Sequence, residues 1–142
     1  MPEIENWATK RLDELVAGAE PPPVVHTLQL GTLDAWGPGW AKKTWQAAPR
    51  LLNSDGSLFG GYIAALADQM LAFAAMTVVP ADKVFRTTQL SVSFFKLGRH
   101  QALHIEGRVV SQSRQLIHVR AEFRDAAGAL MAEATAIQVL QG

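Results

Sequence analysis

The stretch that decides the fold is GGYIAALADQMLAFAAMTVV, running from Gly60 to Val79. Its apolar residues fall on nearly every face of a helix, and such a helix must be enclosed by protein or by lipid. At about 1.5 Å per residue the segment reaches roughly 28 Å, just enough to cross a bilayer core. Against lipid, Asp68 and Gln69 fall mid-segment, alanine outnumbers leucine, and the flanks lack basic and aromatic anchors. The segment is therefore read as one helix buried in protein and carrying a single acid, Asp68.

What encloses it follows in the chain. After Pro80 the apolar period changes from helical to alternating, with Leu90, Val92 and Phe94 on one strand face. The alternation continues through Leu103, Ile105, Gly107 and Val109, then Ile117, Val119, Ala121 and Phe123, then Met131, Glu133, Thr135, Ile137 and Val139. The connectors at 96–101, 111–115 and 125–128 have hairpin lengths. The expectation is an α+β fold in which a curved antiparallel β-sheet wraps the long central helix. A hairpin at 112–114 would set Glu106 opposite Arg120 on a salt-bridged outer face.

Upstream, Ile4, Trp7, Ala8, Arg11, Leu12, Leu15 and Val16 recur at steps of three and four, which predicts an amphipathic helix over 3–18 ended by Gly18 and Pro21-Pro22-Pro23. Between there and the central helix, Gly31, Gly37, Pro38 and Gly39 break the apolar residues into two expected short strands, 25–34 and 40–48. Trp36, Trp40 and Trp45 should cover the core there. Leu51 to Ser57, with Asn53, Asp55 and Gly56, reads as a turn.

Composition bounds the rest. A chain of 142 residues with 49% hydrophobic and 18% charged side chains is expected to build one core, a single domain over 1–142. Thirteen basic and thirteen acidic side chains cancel, so no overall field draws the protein to nucleic acid or an anionic membrane. With no cysteine, thiolate nucleophiles and Cys-based zinc sites drop out. The acidic start, Met1-Pro2-Glu3-Ile4-Glu5, lacks an apolar signal core, and a cytoplasmic location is expected.

An unpaired carboxylate on the most apolar element would cost several kcal/mol or so, so Asp68 needs a reason. Either it looks out through a gap in the sheet or bonds to nearby backbone, or it is a base or nucleophile tuned by partial burial. Gly60-Gly61 is either a plain turn before a helix or a helix N-terminus whose free N–H groups and positive dipole end receive a substrate oxygen. Eight residues separate Gly60 from Asp68, which is about 12 Å along the axis. One helix cannot bring both to the same carbonyl. If both act in one reaction, the acid comes from a second copy, which predicts a homodimer with its active site at the interface.

With Asn53, Phe59-Gly60-Gly61, Ala64 to Asp68 and four alternating strands, the sequence resembles a hotdog-fold acyl-CoA thioesterase over about residues 45–140. It is similar to the phenylacetate-degradation branch, whose motif is an Asn, a His-Gly-Gly six residues on and an Asp nine residues after that His. Asn53, Gly60, Gly61 and Asp68 occupy the matching positions, while Phe59 stands where that branch has His. A Phe-Gly-Gly there is similar to acyl-CoA thioesterase II-like proteins. The resemblance implies a homodimer, often a dimer of dimers, in which the Gly60 N–H polarises the thioester carbonyl. Asp68 of the partner copy attacks it or activates water, and Asn53 positions the water or acyl group. It further implies no metal and no cofactor, CoA entering only as part of the substrate.

Around this motif, Phe59, Gly61, Tyr62 and Gln69 are candidate substrate-binding residues, and Met70, Phe73 and Phe85 could help shape either an aromatic or a fatty pocket. His26, His100, His104 and His118 have no acid at ligand spacing and read as surface residues. Arg108, Arg114 and Arg120 are candidates for the CoA phosphates, with a salt-bridged surface as the other reading. A non-catalytic hotdog module that binds an acyl-CoA or acyl carrier is the alternative function. A hotdog dehydratase or hydratase would need a His paired with an acid, and residues 45–95 contain no His.

Overall fold

A computed structural model describes residues 5–96 and 102–142. Helix α1 spans Trp7–Val16 and begins where Asn6 Oδ1 accepts from the N–H groups of Ala8 (2.8 Å) and Thr9 (3.3 Å). The same amide donates from Nδ2 to Val79 O at 2.8 Å, so the cap that starts α1 also ties it to the far end of the central helix. Ala8, Leu12 and Leu15 form its buried face. The helix is thus shorter than the expected 3–18, because capping by Asn6, which periodicity does not register, sets its start. Ile4 lies outside the described residues.

The expected strand at 25–34 is a correction. Pro23 opens a second short helix, α2, over Pro23–Leu28, its fixed φ suiting the first helical position. Gln29 then closes α2 in a left-handed conformation (φ 53), and its carbonyl accepts from Trp45 Nε1 at 2.9 Å. The β-branched Val24 and Val25 favour a strand locally; Pro23 at the first helical position and docking of Val25 into the core override them. Strand β1 covers only Ala35–Gly37 and β2 covers Trp40–Gln46. Along β2, Ala41, Lys43 and Trp45 point inward while their neighbours face out. Trp45 is buried, whereas Trp36 and Trp40 are half-buried.

Helix α3 runs from Gly60 to Met76, stopping short of the expected Val79. There the Thr77 hydroxyl donates to Ala74 O (2.7 Å) and accepts from Gly39 N–H (2.9 Å), drawing the last turn into tighter bonds. At seventeen residues α3 is enclosed by protein, and among the described residues no helix is long and apolar enough to cross a membrane.

Four strands follow: β3 Val84–Phe94, β4 Ala102–Gln112, β5 Leu116–Arg124 and β6 Leu130–Gln141. The sheet is antiparallel with order β1-β2-β4-β5-β6-β3. Strands β4 to β6 are hairpin neighbours, as the connector lengths suggest. The hairpin expected at 96–101 falls largely outside the described residues; the strands on either side are not paired with each other, since β3 pairs with β6 and lies at the sheet edge. Only that placement lets β4 reach β2 on its other side.

Ile105, Ile117, Val119, Ala121 and Phe123 turn inward onto Leu66, Ala67, Met70, Leu71 and Ala74 of α3. Gly107 in β4 lets the two layers meet: a Cβ there would lie 2.6 Å from Met70 O and 3.2 Å from Ala74 Cβ. On the outer face, Glu106 faces Glu122 and Arg108 faces Arg120, correcting the expected Glu106–Arg120 pair. The turn falls later than expected and the register shifts between Val109 and Ser111. Charges are balanced instead by Arg108–Glu106 (2.7 Å), Arg120–Glu133 (2.6 Å) and Arg124–Glu122 (2.6 Å). A long helix wrapped by an antiparallel sheet, with a short N-terminal helix added, is the hotdog arrangement that the resemblance implies.

Candidate active site

Asp68 is exposed although it follows the fully buried Ala67 and precedes Met70 and Leu71, both fully buried. It looks past the edge strand into a cavity, the first of the two readings as regards position. Its Oδ1 accepts from the Thr87 hydroxyl at 3.1 Å. That hydroxyl also lies 2.9 Å from Oε1 of Gln138, a wholly buried residue whose Nε2 has no partner. Turning the Gln138 amide over would let Nε2 donate to Thr87 and commit the hydroxyl hydrogen to Asp68. Thr87 was not a candidate from sequence: it sits at a register shift between Thr87 and Gln89, where alternation gives no warning.

The cavity beside Asp68 has a volume of about 450 Å³ and includes Gln69, Arg86 and Thr87 in its lining. Gln69 Nε2 donates to Gly31 O at 2.7 Å, and Gln69 Oε1 accepts from Lys43 Nζ. Lys43 also donates to Leu30 O at 2.6 Å. Only 4% exposed, it is held to a pKa of about 7 by burial, against the attraction of Asp34. This bridge ties β2 and the 29–34 loop to α3 beside the acid. The strand alternation that sets Lys43 on the face of Ala41 and Trp45 is the signal that could have found it.

The N-terminus of α3 has no side-chain cap, since Phe59 occupies the N-cap position. The Phe59 ring is 57% exposed and lies over Gly61, where a Cβ would come within 2.5 Å of it, and the exposed Phe94 ring packs against Gly60. Tyr62 faces the other way, buried and stacked on Trp45 with ring centroids 5.1 Å apart. Burial pushes its hydroxyl pKa up, opposed by Arg50, and the hydroxyl has no hydrogen-bond partner. Asn53 bonds within its own loop, donating to Ser57 Oγ (3.0 Å) and Leu58 O (3.4 Å). Asp68 and Gln69 therefore share one cavity, whereas Gly60, Gly61 and Phe59 gather at the helix start some 12 Å away along the axis.

The remaining candidates stay on the surface. His26 meets Glu20 at 2.6 Å, His104 Nδ1 lies 3.2 Å from Thr44 Oγ1, and His118 is exposed. His100 lies outside the described residues. Among the described residues no group of three or more His, Asp or Glu side chains could hold a metal ion. Arg108 and Arg120 are engaged by glutamates. Arg114 instead shares a surface depression with Lys83.

A central helix with one exposed acid, its glycine start and an antiparallel wrap define a hotdog-fold protein. Residues 55–132, more than half of the chain, match the family described as the thioesterase superfamily. The chain belongs to that superfamily, and it is a thioester hydrolase. Among solved structures it is similar to a phenylacetic acid degradation-related protein from Ralstonia eutropha, at 25% identity and TM-score 0.79, covering 90% of this chain and 98% of that one. It is also similar to a Streptococcus mutans protein solved bound to acetyl-CoA, at 25% identity and TM-score 0.71 over 78% and 88% of the two chains. A Haemophilus influenzae thioesterase at 16% identity shares the fold, with TM-score 0.79 over 97% of this chain and 93% of its own. None of the curated proteins matches the sequence.

Proposed function

We propose that the chain hydrolyses acyl-CoA thioesters at a site shared by two copies, with Asp68 of one acting on a substrate held at Gly60 of the other. The observation that carries this reading is the exposed Asp68 carboxylate on a largely buried helix, opening onto an apolar cavity. The Streptococcus mutans relative bound to acetyl-CoA supports an acyl-CoA as the substrate class.

The uncapped N-terminus of α3 gives Gly60 an N–H without an intrahelical acceptor, suited to the oxygen of a thioester carbonyl as it gains negative charge. Asp68 then attacks the carbonyl carbon or removes a proton from the water that does. On either route the C–S bond breaks, the CoA sulfur takes a proton, and water supplies the oxygen of the free acid. Asn53 positions the water or acyl group, Gly61 gives the substrate backbone room, Phe59 and Gln69 touch it, and Tyr62 backs the helix start against Trp45. Hydrolysis of this kind needs no metal or redox cofactor.

The 12 Å along α3 between the two groups favours a shared site. Strand β3 supports pairing: eleven residues long, it lies at the sheet edge with unpaired backbone groups along one side, and exposes Leu90 and Phe94 among polar side chains. Two such pairs would form the dimer of dimers.

Thiol release from a panel of acyl-CoAs tests the assignment. Asp68→Asn should lower kcat by about 10²–10⁴-fold, the range for a positioned base. Mixing Asp68→Asn with Gly60→Pro, which lacks the N–H, should regenerate one intact site per mixed dimer, about a quarter of wild-type activity at equal mixing. Equal activity in wild type and Asp68→Asn would remove Asp68 from the mechanism, and no rescue after subunit exchange would refute the shared site. No release from any acyl-CoA would leave an acyl-CoA-binding module.

A further inference from the structure

The cavity beside Asp68 has a shape that the reaction alone does not require. On α3 it is lined by Ala65, Asp68, Gln69, Ala72, Phe73 and Met76, residues at steps of three and four that make one continuous stripe of the helix. The stripe is shallow where Ala65 and Ala72 stand, so it forms a trough. Opposite it stand Leu15 of α1, Val25 and Leu28 of α2, and Leu30 after them, with Phe85 of β3 along one side. Polar groups gather beside Asp68, as Gln69, Thr87 and Arg86; Arg11 on the α1 side is engaged by Glu20 O at 2.7 Å. The facing wall, drawn from residues 11–30, lies outside the part of the chain that matches the family, 55–132.

We infer that this trough is the acyl pocket of a medium-chain substrate, a straight saturated thioester of about eight to ten carbons, and that α1 and α2 set its length. The inference rests on Asp68 as the reacting group. From Asp68 to Met76 the trough runs about 12 Å at 1.5 Å per residue. An extended chain advances about 1.2 Å per bond, from 3.3–3.6 Å per three-bond residue, so roughly ten bonds fill it. Its volume of about 450 Å³ lies in the range of pockets that enclose small ligands, about 300–1,000 Å³. An acetyl group would leave the aliphatic wall uncovered, and a single aromatic ring would leave the far end near Met76 without contacts.

The test is kcat/KM for wild type across straight acyl-CoAs from acetyl to myristoyl, with phenylacetyl-CoA beside them. It should rise about fourfold per added methylene, as transfer from water requires, and level off near octanoyl to decanoyl. Ala72→Leu should move that optimum down by on the order of three carbons, the heavy atoms that leucine adds, and Leu28→Ala, a partly exposed position, should move it up. Calorimetric binding of acetyl-, octanoyl- and myristoyl-CoA to Asp68→Asn reads the pocket without the chemistry. Octanoyl preference there supports the pocket separately from the kinetic profile. A flat profile, a preference for phenylacetyl-CoA over octanoyl-CoA, or an optimum that neither variant moves would overturn the pocket and leave the assignment of Asp68 intact.

Discussion

Gly107→Ala is the substitution whose effect the fold determines most directly. The added Cβ would lie 2.6 Å from Met70 O and 3.2 Å from Ala74 Cβ, against favourable separations of about 3.5–4.0 Å. The first of these atoms is helix backbone, so α3 must retreat from β4 by on the order of 1 Å or the strand must bend. Overpacking of this kind costs about 1–3 kcal/mol. The smaller entropy of the unfolded alanine chain offsets about 0.4–1 kcal/mol of that. The net loss, about 1.3 kcal/mol at the middle of these ranges, corresponds to a fall in Tm of roughly 4 °C for a chain of this size. Because Asp68 rides on the same helix two residues before Met70, activity should fall as well, by up to about 10²-fold for a displacement near 1 Å. Thermal unfolding with parallel thiol-release assays reads both quantities, and Gly107→Val should exceed Gly107→Ala in each. An alanine variant with unchanged Tm and unchanged kcat would show that helix and sheet are not in contact there.

Thr87→Val should remove the hydrogen bond to Asp68 and lower kcat by about 2- to 10-fold, the equivalent of 0.5–1.5 kcal/mol, while Thr87→Ser restores it; equal rates in all three proteins would dismiss the contact. Lys43 has a pKa of about 7 when folded against 10.5 when unfolded, so the unfolded chain binds the extra proton between those values and unfolding free energy should rise with pH from 7 to about 10. Denaturant titrations of Lys43→Met should lack that rise; an identical slope in both proteins would refute the assignment. Tyr62, whose pKa is raised by burial, has the opposite sign, and stability should turn down above about pH 10, a fall that Tyr62→Phe removes. Phe94→Glu, placing a charge on the exposed edge strand, should convert the proposed dimer to a monomer by light scattering and abolish thiol release together; an active monomer would contradict the shared site.

The period of the apolar residues was enough to read the enclosed helix, the presence of the four strands after it and the exceptional position of Asp68, because burial on nearly all faces and alternation on one face leave different spacings in the chain; the inward face of β6 was not read, since Ala132, Ala134, Ala136 and Gln138 line it while Thr135 is exposed. The Asn53, Gly60-Gly61 and Asp68 spacing was likewise legible, since it lies along one loop and one helix. Strand order was not: the 96–101 connection has a hairpin's length, but β3 pairs with the last strand, a choice made by long-range contacts that spacing cannot encode. Nor was α2, where Val24 and Val25 favour a strand locally and docking against the core makes a helix. The register shifts in β3 and β4 brought Thr87 to Asp68 and set Glu106 opposite Glu122, because one extra residue moves every pairing beyond it. The sequence alone thus determined that a helix with one acid would be enclosed. The tertiary structure decided what that acid faces, since the cavity wall of Leu15, Val25 and Leu28 comes from parts of the chain forty or more residues before it.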